Sequence, residues 1–206
     1  MTETLGKITK PPADKYKQSR KLYCIPLLIN IKDAPTQYQE KYNLYWEQVT
    51  QQINALEKAG KINKIYHEAI TTPGQQGLEA IKQLNEKSYQ LAKSKTEQGA
   101  KLEALEDKEI LSEYTDWLMA LSAVGRSKKV VDKILEYYRE ATDRRDQHIT
   151  KQINETLKEN EAAMLIMSDE YRMHIQTQLP PDIQIFLVRP PALNDIQQIL
   201  QKMLQQ

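Results

Sequence analysis

Glycine is scarce. Only 6 of 206 residues are glycine, and none cluster after an apolar run. No glycine-rich loop is available to cradle a phosphate, which argues against a Rossmann or P-loop nucleotide site. Cys24 is the single cysteine, so no intrachain disulfide or zinc knuckle can form. Its place inside LYCIPLLI marks it as a small buried hydrophobe. No stretch approaches the ~20 apolar residues of a membrane span, and the N-terminal residues lack the apolar core of a signal peptide. A cytoplasmic protein with no membrane partner is therefore expected. An excess of one charge is also missing: 29 Lys plus Arg stand against 28 Asp plus Glu. That balance gives no general attraction to nucleic acid.

What is present alternates between strand-like and helix-like runs. Residues 1–20 are basic and poor in apolar groups, as expected of a flexible arm; residues 21–206 are expected to form one domain. Strands are predicted at 22–31, 61–70, 101–106, 162–167 and 182–188. Pro26 points to an edge strand or a bulge for the first of these. Between them, Tyr38, Tyr42, Tyr45, Val49, Ile53 and Leu56 mark a helix capped by Asp33 or Thr36. Leu78, Ile81, Leu84, Ser88 and Leu91 mark a second helix, running from Gln75 to a stop at Gly99. Leu111, Tyr114, Leu118 and Leu121 mark a third, with Asp107 as its cap. A long segment carrying Ile149, Ile153 and Leu157 follows, and a Gln- and Leu-rich helix ends the chain. The predicted fold is α/β, a mostly parallel sheet flanked by helices in a single domain.

Ala162 to Met167 is uncharged and apolar, as expected of a strand covered on both faces, and the chain turns polar at once with Ser168, Asp169 and Glu170. Ligands of open α/β sheets gather beyond the carboxyl ends of such strands. Arg145 occupies the apolar stripe of the preceding helix, where a charge must find carboxylates or face a cleft. Glu103, Glu106, Arg145 and Asp146 form one candidate constellation, either a charged cleft for an anionic or polar small molecule or a buried ion-pair network. His174, with Asp169 or Glu170, forms another. His67 beside Glu68 reads as a hydrogen-bonded histidine at a strand end. No spacing fixes a metal geometry, and no cofactor is expected.

Leu102-Glu103-Ala104-Leu105-Glu106-Asp107, Arg145-Asp146-Gln147-His148-Ile149, Glu155-Thr156-Leu157-Lys158 with Glu161, and Leu179-Pro180-Pro181-Asp182-Ile183 occur in this order. They resemble a poorly characterised bacterial family with the patterns LEGTED, RDxYI, TLKxGE and LPxDI. More distantly the chain is similar to the TraB/Tiki and ChaN-like superfamily, whose members include metal-dependent hydrolases, esterases and haem binders. Such families place a histidine at the end of the first strand and a Gly-x-x-His turn after a later one. Here Asn30 and Ser168-Asp169-Glu170-Tyr171 stand at those positions, so the resemblance implies a cleft that has lost its site histidines. Two functions follow as expectations: a non-catalytic binding protein for a small molecule or a protein partner, or a metal- or carboxylate-assisted hydrolase. The tyrosine-rich helix and the terminal helix each offer a surface for a homo-oligomer.

Overall fold

The computed structural model describes residues 19–31, 34–123 and 125–205. Five strands form one all-parallel sheet, in the order β3-β2-β4-β1-β5. They are β1 (Arg20–Pro26), β2 (Ile62–His67), β3 (Lys101–Leu102), β4 (Ala162–Met167) and β5 (Ile183–Leu187). Seven helices surround the sheet among the described residues: α1 (Thr36–Leu56), α2 (Gly74–Leu84), α3 (Glu86–Glu97), α4 (Lys108–Ala123), α5 (Lys128–Thr156), α6 (Asp169–Gln178) and α7 (Pro191–Leu204). None of them is long and apolar enough to cross a membrane. The expected arm falls outside the described residues up to position 18, but Arg20 does not belong to it. It starts β1, and its guanidinium grips Asp182 through Nε (2.7 Å) and Nη2 (2.9 Å). The aspartate of the LPPDI stretch thus tethers β5 to the start of β1.

Period-two alternation along β1 separates two cores. Tyr23 and Ile25 face one side with Ile65, Met164 and Ile166, covered by α1, α2, α3 and α7. Leu22 and Cys24 face the other with Tyr66, Ala163 and Leu165, covered by α5 and α6. The tyrosines of α1 are packing residues, buried in the first core, and α7 packs against α1. The two helices expected to offer oligomer surfaces therefore cover each other.

Several local expectations are corrected. β1 lies between β4 and β5, so Pro26 is on no edge; it is the strand's last residue, opposite Met167. The sheet's irregularity lies instead between Ile62 and Lys64 of β2. Thr36 is the first helical residue of α1 and Pro35 takes the cap position, while Asp33 lies outside the described residues. The helix expected from Gln75 to Gly99 breaks at Asn85, whose extended backbone ends α2 and whose Oδ1 accepts from Ser88 N–H at 3.0 Å to cap α3. Asn85 won over helix propensity because its amide also donates to the Leu28 carbonyl and accepts from Tyr42. β3 keeps only two residues of the six expected, since Glu103, Leu105 and Glu106 direct their N–H groups to Ile65 and Ile70 outside a regular ladder. Asp107 does cap α4, accepting from Glu109 and Ile110 N–H. Leu118 does not join a core; it is exposed on a helical pair, α4 with the first half of α5, that extends past the sheet.

α2 approaches the loop after β2 so closely that a Cβ at Gly77 would stand 2.2 Å from the Thr72 carbonyl oxygen and 2.8 Å from Leu102 Cδ2. Backbone cannot yield as a side chain would. Gly77→Ala is therefore expected to cost about 1–3 kcal/mol, despite alanine's better helix propensity. A denaturant midpoint equal to that of the parent would show that the contact does not constrain α2.

Candidate functional site

The topology places a crevice at one end of the sheet. After β1 and β2 the chain passes to the face of α1, α2 and α3; after β4, which lies between them, it passes to the face of α5 and α6. Loops leaving neighbouring strands toward opposite faces part above the carboxyl ends, where open α/β sheets bind their ligands. A cavity of about 260 Å³ lies there, lined by residues 27–30 after β1, Glu68 and Ala69 after β2, Ser168 after β4, and Leu84 and Asn85 at the α2–α3 junction. Among the described residues, Glu68 is the one ionisable group in this lining.

Arg145 lies behind the crevice. Ala141, Arg145, Ile149 and Ile153 recur at four-residue steps on the buried face of α5, which carries the guanidinium inward to 2 % exposure. Its Nη2 lies 2.5 Å from Glu106 Oε1 and its Nε 3.0 Å from Oε2, a two-pronged pairing with the residue just before the α4 cap. Nη2 also lies 3.5 Å from Glu68 Oε1. Tyr114 of α4 and Tyr171 of α6 place their rings 4.6 and 4.8 Å from the guanidinium carbon, favourable cation–π positions. Burial opposes the charged form, yet Glu106 and Glu68 outweigh it and raise the Arg145 pKa. Burial raises the Tyr114 and Tyr171 hydroxyls as well, so neither ring supplies a base near neutrality.

Glu68 joins this network to the crevice. Its Oε2 accepts from Ser168 N–H at 2.8 Å and from Ser168 Oγ at 2.7 Å, linking the ends of β2 and β4. The next residue, Ala69, has φ +64°, a left-handed conformation that costs a residue with a Cβ about 1 kcal/mol or more. Its N–H reaches Glu106 Oε1 at 3.4 Å, one contact that holds the strained turn. His67 is fully buried. Its Nδ1 donates to the Glu68 carbonyl at 2.7 Å, and Nε2 lies 3.0 Å from Ser88 Oγ. Burial lowers its pKa against the raising effect of the Glu68 carbonyl. The sequence singled out Arg145 and Glu106 but not Glu68 as a site residue. The available signal was its place directly after a buried strand run, Ile65-Tyr66-His67.

The other expected site residues disperse. Glu103 does not reach Arg145; it pairs with Lys64 across β2 and β3, because it flanks the sheet edge while Glu106 turns under it. Asp146 is buried and faces away from Glu106 to His174, with Oδ2 3.5 Å from Nδ1. Burial raises the Asp146 pKa against the pull of His174 and Arg145. Asp169 pairs with Arg172 and Arg189, so it partners neither His174 nor a ligand-shaped opening. Glu170 and His174 line a separate groove of about 200 Å³ with Tyr138, Thr142 and Tyr171. Among the described residues no three His, Cys, Asp or Glu side chains converge on a site that could hold a metal ion. Burial pushes the Cys24 thiol up to about 12, in keeping with an unreactive packing residue.

Arg145→Met leaves two carboxylates without their cation and is expected to cost about 3 kcal/mol or more. Adding Glu106→Gln should recover part of that loss, and Glu68→Gln a further part. The Arg145–Glu106 coupling from a denaturation cycle should exceed the ~0.2–1 kcal/mol of exposed pairs. Coupling within the exposed range would refute a dependence of the fold on this pair.

His67 generates an acid-side prediction. Its unfolded imidazole titrates near 6.5 and its folded one lower. Between those values the unfolded chain holds the extra proton, so the stability present above 6.5 falls as pH drops toward the folded pKa. Asp146, with its raised pKa, acts in the opposite sense further into acid. The parent should accordingly lose more stability between pH 7 and 5 than His67→Gln does; equal pH slopes in chemical denaturation would contradict this assignment.

Comparison with known proteins returns no matching family model, no matching curated protein and no matching solved structure, so the geometry of the crevice alone carries the functional reading.

Proposed function

We propose that this chain is a non-catalytic binding protein whose ligand is a small molecule seated in the crevice beyond β1, β2 and β4. The observation that supports it is Glu68. A carboxylate at the cavity wall is fixed from one side by Ser168 and from behind by the buried Arg145. Such fixing pre-organises a polar recognition group and lowers the ordering cost of binding. The left-handed Ala69 beside it supports the reading, because strained backbone persists where surrounding structure enforces it and clusters at ligand sites. The proposal includes a cytoplasmic setting, in keeping with the single buried cysteine.

A second reading, a carboxylate-assisted hydrolase, has one observation in its favour: the Asp146–His174 pair beside the groove of Tyr171 and Glu170. A buried carboxylate can orient an imidazole as a general base. Its metal-assisted form finds no set of ligands among the described residues.

Titration of the protein with a panel of amino acids, amines, sugars and short-chain acids, followed by backbone amide NMR, separates the two. Binding should shift the amides of Asn30, Ala69, Asn85 and Ser168. Shifts confined to Tyr171 and His174, or ester hydrolysis lost in His174→Ala, would replace this proposal with the second reading.

A further inference from the structure

The cavity's chemistry points to a class of ligand, and this step rests on the proposed binding role of the crevice. We infer that the ligand is a small organic cation, an ammonium group carried on a short apolar body. Three observations converge.

The first is charge. Arg145 carries one positive charge, while Glu68 and Glu106 carry two negative ones, so the cluster behind the crevice holds a formal excess of one negative charge. Glu106 turns both its oxygens to Arg145 and is buried. The excess is therefore presented at Glu68, the lining acid. An anion would meet this carboxylate at close range in a partly desolvated wall, where like charges repel strongly.

The second is unused acceptor capacity. A carboxylate offers about four lone-pair sites. Glu68 Oε2 uses two of them on Ser168, while among the described residues Oε1 has only the 3.5 Å approach of Arg145. An ammonium brings three donors and no acceptor, the complement of what the wall offers.

The third is the rim. Exposed large hydrophobic side chains are few among the described residues, and two of them, Ile29 at 76 % and Leu84 at 57 %, line this same cavity with Leu27 and Leu28. Acid at the wall and aliphatic side chains at the mouth match an ammonium head with an apolar tail. The 260 Å³ of space corresponds to about nine water-sized groups, so the body is short.

The test uses three probes of matched length, n-hexylammonium, 1-hexanol and hexanoate, titrated into the full chain at low and high salt and followed by amide NMR. Only hexylammonium should shift Glu68, Ala69 and Ser168, with affinity falling as salt rises. Glu68→Gln should weaken it about tenfold or more, the scale of one charge-assisted hydrogen bond. Because Glu68→Gln touches the Arg145 network, Leu84→Lys serves as a second variant. It places a positive charge at the exposed rim without removing a member of that network, and should weaken hexylammonium severalfold while the thermal midpoint stays put. Equal binding of hexanol or hexanoate at the same amides would overturn the cation while leaving the crevice as a binding site. No shift at these amides from any probe would overturn the cation and count against the crevice as well.

Discussion

A guanidinium held away from water is the constraint around which this molecule is arranged. Desolvating such a charge costs several kcal/mol unless opposite charges and donors' partners meet it in place. Arg145 enters from α5 and is met by Glu106 before α4, by Glu68 after β2, and by the rings of Tyr114 and Tyr171 from α4 and α6. The four partners come from three other parts of the chain: α4 with the residues just before it, the end of β2, and α6. Satisfying one side chain therefore fixes the relative positions of α4, α5, α6 and the end of β2. Lysine could not do this, since a point charge neither forks across a carboxylate nor stacks between two rings.

The same network shapes the crevice. Glu68 is shared between Arg145 behind it and Ser168 beside it, so the ends of β2 and β4 are held at a set spacing. Asn85, which lines the same cavity, performs a similar service: it caps α3, receives Tyr42 and holds the Leu28 carbonyl. Both are polar groups at chain breaks, where a buried backbone would otherwise lack partners. The left-handed Ala69 lines the cavity together with these two anchors. Rigid supports around a strained residue are the arrangement expected of a wall whose shape matters.

The helical pair formed by α4 and the first half of α5 obeys a different logic. Only Tyr114 is buried in α4, and α5 buries nothing before Ala141. The apolar stripe of α4 faces a neighbouring helix without a sheet behind it, which is why residues such as Leu118 remain exposed although their spacing is that of core residues. Periodicity identifies the face a helix would bury; it does not say whether enough protein lies opposite to bury it.

The sequence by itself determined the chain order of the five strands, the uncharged β4, the Asp107 cap and the singular position of Arg145, because these follow from periodicity, side-chain capping chemistry and the cost of a charge in an apolar stripe. It also brought Glu106 into view, together with Glu103, because such a charge calls for a carboxylate partner. It did not show α6, which begins in the polar run after β4, nor the division of α2 from α3. Tertiary structure decided the rest. Pro26 lies inside the sheet because strand order depends on crossovers of many residues rather than on local letters. Glu103 pairs with Lys64, and Asp146 with His174, because three residues of loop or one step along a helix turn a side chain by about a hundred degrees or more. Glu68 became a crevice residue only when β2 and β4 were laid side by side, 100 positions apart in the chain at the Ser168 contact. Pairing between parallel strands joins residues distant in sequence, and no local pattern encodes which two loops will meet.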